Sequence, residues 1–233
     1  MAARTYPLRW QQIGLELPLD PQFSREDFLI SESNADALRM IEAWPRWPES
    51  VLLLIGERGS GKSHLAAIWA AQARAEIFSG ASLRGADVAA LAEMPALVID
   101  AVDEIGAAEA PLFHLLNLAR QGGRSLLLTA QRRPDLWGLK TPDLLSRLRL
   151  APVVELGAPD DALLQSVLGK LFRDRQLLVD PAVIDFIALH IDRSLEVARA
   201  FVELVDRVAL ARGVAVTRSL ARELLIDATD ERD

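Results

Sequence analysis

A chain of 233 residues, 51% hydrophobic and 25% charged, can bury a sizeable core, which excludes a disordered polymer. Lys and Arg number 26 against 33 Asp and Glu, and the net charge of -7 argues against a broad nucleic-acid-binding face while leaving room for a local basic patch. With no cysteine there is neither a disulfide framework nor a thiolate metal site, in keeping with a cytoplasmic setting.

The N-terminus lacks the apolar centre of a signal peptide, and no apolar run reaches membrane-spanning length, so no membrane partner is expected. Residues 1–20 read as an arm. Ile13, Leu15, Leu17 and Leu19 alternate with other residues, and Pro18 and Pro21 discourage a helix or a central strand. Two readings stand: an edge strand clipped onto the chain's own core, or a peptide that docks in another protein's groove. Phe28-Leu29-Ile30 then leads to a helix from about Ala35, with Ser33 or Asn34 as its N-cap. Trp44-Pro45-Arg46-Trp47-Pro48 ends that helix, its tryptophans serving packing.

The apolar run Val51–Ile55 meets Gly56-Glu57-Arg58-Gly59-Ser60-Gly61-Lys62-Ser63 and then the helical His64–Ala70. Strand, glycine-rich turn, Lys-Ser and helix form the phosphate-binding P-loop in its required context. Glycine lets the backbone curl until its N–H groups converge on an anion, and the helix N-terminus adds positive charge. Gly56, Gly59, Ser60, Gly61 and His64 are assigned to the nucleotide. Lys62 should reach the β- and γ-phosphates, and Ser63 should ligate Mg²⁺.

Ala96-Leu97-Val98-Ile99-Asp100 is a buried parallel strand whose carboxylate stands at the crevice end of an open α/β sheet. Asp100 reads as the second Mg²⁺-holding residue. Ala101, the next residue, cannot polarise water. Asp103 would share its side if the strand continued, and intrinsic hydrolysis is expected to be slow. Ser125–Thr129 forms another buried strand. Thr129, or Gln131 beyond it, fits a sensor of the γ-phosphate, against a plain strand-end threonine. Thr141 as N-cap and Pro142 open a short helix that carries Arg147 and Arg149 up to the strand Val153–Leu156.

Gly157-Ala158-Pro159 marks a hinge, and beyond it the 3.6-residue period predicts only helices, near 160–175, 181–190, 194–212 and 217–227. The expected fold class is therefore α/β: a P-loop nucleotide-binding domain with a parallel sheet (21–156), preceded by the arm (1–20) and followed by a small all-α lid (157–233).

Gly56 to His64 as G-x-x-G-x-G-K-S-H, Ile99-Asp100, Ser146-Arg147-Leu148 and Asp192-Arg193-Ser194-Leu195-Glu196, with Phe28-Leu29-Ile30 and Ser33-Asn34, resemble the DnaA family of AAA+ replication initiators from about residue 23 onward. The likeness stops where that family continues into its basic helix-turn-helix DNA-binding domain, and its N-terminal domain and linker have no counterpart. A DnaA-like core with a short glutamine–aliphatic arm is similar to the Hda and HdaA group of regulatory inactivators.

That resemblance implies ADP or ATP with Mg²⁺ as cofactors. It makes Arg147 an arginine finger acting in trans, with Arg149 in reserve, Thr129 sensor I and Arg193 sensor II. A helix-entry salt bridge is the other reading of Arg193. Gln12-Ile13-Gly14-Leu15-Glu16-Leu17 resembles a sliding-clamp-binding hexapeptide, departing from it at Gly14 and Glu16. The implied partners are DnaA and the β sliding clamp of DNA polymerase III, with DNA reached only indirectly and a homo-oligomer possible. The implied function is stimulation of ATP hydrolysis by DnaA, a brake on chromosome replication. A helicase-loader-type ATPase acting on a replicative helicase and single-stranded DNA is the alternative. An adaptor using nucleotide as a structural plug, or a small-molecule kinase, fits fewer of these residues.

Overall fold

The computed structural model describes residues 23–230, so the arm and its hexapeptide Gln12–Leu17 lie outside the described residues. Five strands, β1 (Val51–Gly56), β2 (Glu76–Ser79), β3 (Ala96–Asp100), β4 (Ser125–Ala130) and β5 (Val153–Leu156), form a parallel sheet in the order β2-β3-β4-β1-β5. Such pairing needs crossovers between strands. Helix α1 (Ala35–Glu42) precedes β1, and α2 (Lys62–Ala73), α3 (Val88–Glu93), α4 (Glu109–Gly122) and α5 (Pro142–Leu148) make the connections.

Side-chain alternation sorts each strand onto two cores. Val51, Leu53 and Ile55 of β1, Leu97 and Ile99 of β3, and Leu126 and Leu128 of β4 face α4 and α5 through Leu112, Leu116, Leu144 and Leu148. Leu52, Leu54, Val98 and Leu127 face the other way, onto α1 and α2 through Ile41, Leu65 and Trp69. Central strands covered on both faces must be apolar throughout, hence the unbroken run of β1. The edge strand β5 alternates instead, with Val154 and Leu156 buried and Val153 and Glu155 exposed. The tryptophans do pack. Trp47 stacks on buried Trp69 at 5.0 Å between ring centroids, and Trp44 meets it edge-on at 6.2 Å.

Beyond residue 157 come α6 (Asp161–Asp174), α7 (Pro181–Ala188), α8 (Leu195–Arg212) and α9 (Arg218–Asp230). They enclose a core of their own around Leu168, Phe172, Ile187, Val202 and Val205. Short polar residues start these helices: Asp160 accepts from the Leu163 N–H at 2.8 Å and Asp180 from the Ala182 N–H at 2.8 Å. Gly213, at φ +64, ends α8 in the left-handed conformation that favours glycine.

Two expected caps work differently. Asn34 occupies the N-cap position of α1, but its side chain turns backwards, accepting from the Ser31 N–H and donating to the Leu29 carbonyl, both at 2.9 Å. Thr141 precedes α5 without a side-chain cap bond. Its backbone N–H is taken by Glu109 Oε2 at 2.8 Å, and that of Lys140 by Oε1 at 2.9 Å. A carboxylate from another helix thus fixes the backbone that leads into α5, rather than capping the helix's own first N–H groups.

Candidate functional site

Between β1 and α2 the chain closes a loop whose Gly59 and Gly61 adopt φ +73 and +105. Gly56 has no room for a side chain, since a Cβ there would lie 2.7 Å from Ser60 Oγ and 2.9 Å from the Leu156 carbonyl. Ser60 Oγ is buried without a hydrogen-bond partner among the described residues. Lys62 Nζ donates to the carbonyls of Gly56 and Glu57 at 2.7 and 2.9 Å and has no ion-pair partner among the described residues. Burial lowers its pKa, opposed by the charges of Asp100, Asp103 and Glu196. Curled glycines, an unpaired lysine and a helix N-terminus together fit a polyphosphate.

The two residues assigned to the metal from sequence meet at the crevice: Ser63 Oγ lies 3.4 Å from Asp100 Oδ2. One carboxylate and one hydroxyl suit Mg²⁺, which takes its remaining ligands from phosphates and water. Thr129, fully buried on β4, donates to Asp100 Oδ1 and accepts from the Ala101 N–H at 2.9 Å. Its hydroxyl is thus engaged in fixing Asp100. The strand does not continue past that aspartate. Ala101 turns left-handed at φ 52, and a 3₁₀ turn over Val102–Glu104 swings Asp103 toward β4, where it accepts from the Gln131 N–H at 3.0 Å. Gly80 permits this turn, because a Cβ there would stand 2.4 Å from the Ala101 carbonyl.

The lid meets the loop directly. Leu195 N–H donates to the Gly59 carbonyl at 2.8 Å, and Arg58 forms a two-pronged pair with Glu196 at 2.7 and 2.8 Å. A cleft of about 550 Å³ opens between them, bounded by Gly59, Gly61, Lys62 and Ser63 on one side and by α6 and α8 on the other. That size suits a small organic ligand. His64 sits between Phe23 and Phe28, 5.2 and 5.1 Å between ring centroids, with Nε2 on the Ser24 carbonyl at 2.8 Å. Burial lowers its pKa, so the ring stays neutral.

The arginines divide. Arg193 stands outside the cleft lining, its exposed guanidinium 2.7 Å from Asp161, the helix-entry salt bridge of the two readings. Arg149 is held by Asp135, and Arg133 by Glu155. Arg147 is half-buried on α5, its guanidinium 5.0 Å from the centre of the Phe113 ring, with no ion pair among the described residues. Sequence reasoning missed Arg199 on α8, which lines the cleft, and Phe23, on which it stacks at 5.3 Å. Position six residues beyond Arg193 carries no motif, so only the fold could bring it to the loop.

P-loop, carboxylate on the strand two places away, and helical lid define a AAA+ nucleotide-binding fold. Searched against models of known protein families, the chain matches none. It is 27% identical over 208 residues to the chromosomal replication initiator DnaA of Bacteroides thetaiotaomicron, covering 78% of this chain and 44% of that one. Domain III of the Thermotoga maritima replication initiation protein DnaA superposes with a TM-score of 0.78 at 21% identity, covering 91% of this chain and 98% of that one. AMPPCP-bound DnaA from Aquifex aeolicus gives 0.69 at 20% identity, over 80% and 66% of the two chains. The chain is similar in sequence to DnaA and shares the fold of its domain III, and it spans about half the length of the curated DnaA relatives it matches. No helix among the described residues is long and apolar enough to cross a membrane.

Proposed function

We propose that this protein binds ADP or ATP with Mg²⁺ and acts in trans on a neighbouring ATP-bound DnaA, speeding its hydrolysis to inactive DnaA-ADP. Residues 12–17 would tether it to the DNA-loaded sliding clamp. One observation carries the reading. Arg147, on α5, keeps its guanidinium clear of carboxylates among the described residues and rests on the Phe113 ring, while its neighbours Arg133 and Arg149 are tied down. A cation held by an aromatic face is oriented without being neutralised.

Within its own cleft the chain's residues bind and position. The loop amides and Lys62 would hold phosphates, Ser63 and Asp100 would hold the metal ion, and Thr129 keeps Asp100 in register. The ion, when bound, neutralises phosphate charge. Ala101 leaves the position after Asp100 without a water-orienting carboxylate, which supports slow turnover alone and a role on another subunit's nucleotide. A finger supplied in trans raises phosphoryl-transfer rates by about 10³- to 10⁵-fold.

The test is phosphate release from DnaA-ATP in the presence of clamp-loaded DNA, with this protein added as wild type, Arg147→Ala, Arg149→Ala, or lacking Gln12–Leu17. Arg147→Ala should keep nucleotide and clamp binding and lose the stimulation, and Arg149→Ala should retain it. Stimulation unchanged by Arg147→Ala removes the finger role. Tight single-stranded DNA binding with independent turnover would instead favour a helicase loader.

A further inference from the structure

Helix α4 carries Phe113, Asn117 and Arg120 at i, i+4 and i+7, so these residues share one face of it. Two of them reach Arg147 on α5. The Phe113 ring lies under its guanidinium at 5.0 Å, and Arg120 Nη2 donates to its backbone carbonyl at 3.0 Å. That carbonyl stands in the last turn of α5, where helix geometry leaves acceptors open. The Leu150 N–H also donates to it, at 3.1 Å. One residue is thereby held at both ends, backbone and side chain, by the same neighbouring helix.

Arg120 is poorly served by this arrangement. Its Nε is buried without a hydrogen-bond partner, and it has no ion pair among the described residues. A buried donor left unsatisfied is costly, and an apolar side chain of similar length would fill the space without that cost. Packing alone therefore does not account for an arginine here. Helix α5 is only seven residues long, far below the length at which a helix holds itself in water, so its end depends on what α4 supplies. On the trans-acting reading above, we infer that Arg120 is a positioning residue for Arg147. Its guanidinium fixes the end of α5, and with it the point from which the finger projects, while Phe113 sets the direction. Such placement matters, because a misfit of about 1 Å can cost about a hundredfold in rate.

The experiment measures phosphate release from DnaA-ATP with clamp-loaded DNA across a range of concentrations of this protein. Wild type, Arg120→Met, Arg120→Lys and Arg147→Ala are compared, each with its thermal midpoint. Arg120→Met removes the bond and the idle donor together, so its midpoint should stay within about 2 °C of wild type. Its maximal stimulation should fall about ten- to a hundredfold, while the half-stimulating concentration shifts by less than about threefold. Arg120→Lys keeps an ammonium that can donate to the carbonyl and should recover most of the rate. Full stimulation by Arg120→Met, a loss confined to the half-stimulating concentration, a loss that only tracks a fallen midpoint, or a Lys variant no better than Met would each overturn the inference. If Arg120→Met does not fold, Arg120→Gln, polar but too short for the carbonyl, takes its place with the same expected loss. Stimulation that survives Arg147→Ala would bring down the finger reading itself. Stimulation lost with Arg147→Ala but kept with Arg120→Met strikes only the role given to Arg120.

Discussion

Replacing Gly59 by alanine probes the seam between loop and lid. The residue sits at φ +73, where an L side chain is strained by about 1–2 kcal/mol. Its new methyl would stand 2.0 Å from Ser194 Oγ, 3.1 Å from Ser194 Cβ and 3.1 Å from the Glu196 amide nitrogen. Rotating the hydroxyl relieves only the first contact and gives up its 3.4 Å bond to the Val197 N–H. Backbone must therefore shift by a few tenths of an ångström, straining the bond from Leu195 N–H to the Gly59 carbonyl, which at full loss costs about 0.5–1.5 kcal/mol.

Gly123→Ala is the matched control: its φ is +65, yet a Cβ there would touch nothing within 4 Å. Gly59→Ala should therefore be the less stable of the two by about 1 kcal/mol, or about 2–4 °C in thermal midpoint for a chain of this size. Thermal unfolding with and without ADP and Mg²⁺ reads both consequences. Ligand binding to the folded state raises the midpoint, and that rise should shrink in Gly59→Ala and persist in Gly123→Ala. If both variants melt together and respond equally to ADP, the lid does not rest on the loop in solution.

Thr129→Val keeps the shape of a fully buried side chain but strands the Ala101 N–H and frees Asp100, a loss of about 1–3 kcal/mol. Thr129→Ser should recover most of it, measured as the urea midpoint at unchanged slope. Glu109 supplies a pH dependence. The backbone N–H groups of Lys140 and Thr141 and the Thr141 hydroxyl hold its pKa below the usual glutamate value. A lowered carboxylate pKa contributes stability that is complete above the unfolded-state pKa and disappears as pH falls through the folded one. Glu109→Gln should therefore be less stable than wild type at neutral pH, with the gap closing in acid. A constant gap from pH 7 to pH 3 would show that the carboxylate charge is not involved.

Much of this architecture can be read locally, and what cannot has a common cause. Strands β3 and β5 begin and end where apolar content and punctuation place them, because a buried parallel strand needs an unbroken apolar run and an edge strand needs alternation. The four lid helices follow from 3.6-residue spacing with Asp, Ser or Thr at their starts. The left-handed turn at Ala101 is invisible in the sequence, since it depends on Gly80 standing opposite, on another strand's exit. Asn34 looks like a helix cap by residue type but is claimed by Ser31 and Leu29. At the site, the loop, Ser63 and Asp100 announce themselves by motif. Arg199 does not, for only the folded chain brings it to the cleft.

The helical block has its own dry interior, and its ties to the sheet domain at the cleft are few: Leu195 on the Gly59 carbonyl, Arg58 with Glu196, and Lys170 with Asp27. Swinging it open as a rigid jaw would break these ties and leave the block's own core intact. A spent ligand would then leave by snapping surface ion pairs, which ionic strength weakens, and salt becomes a dial on how quickly the jaw lets go.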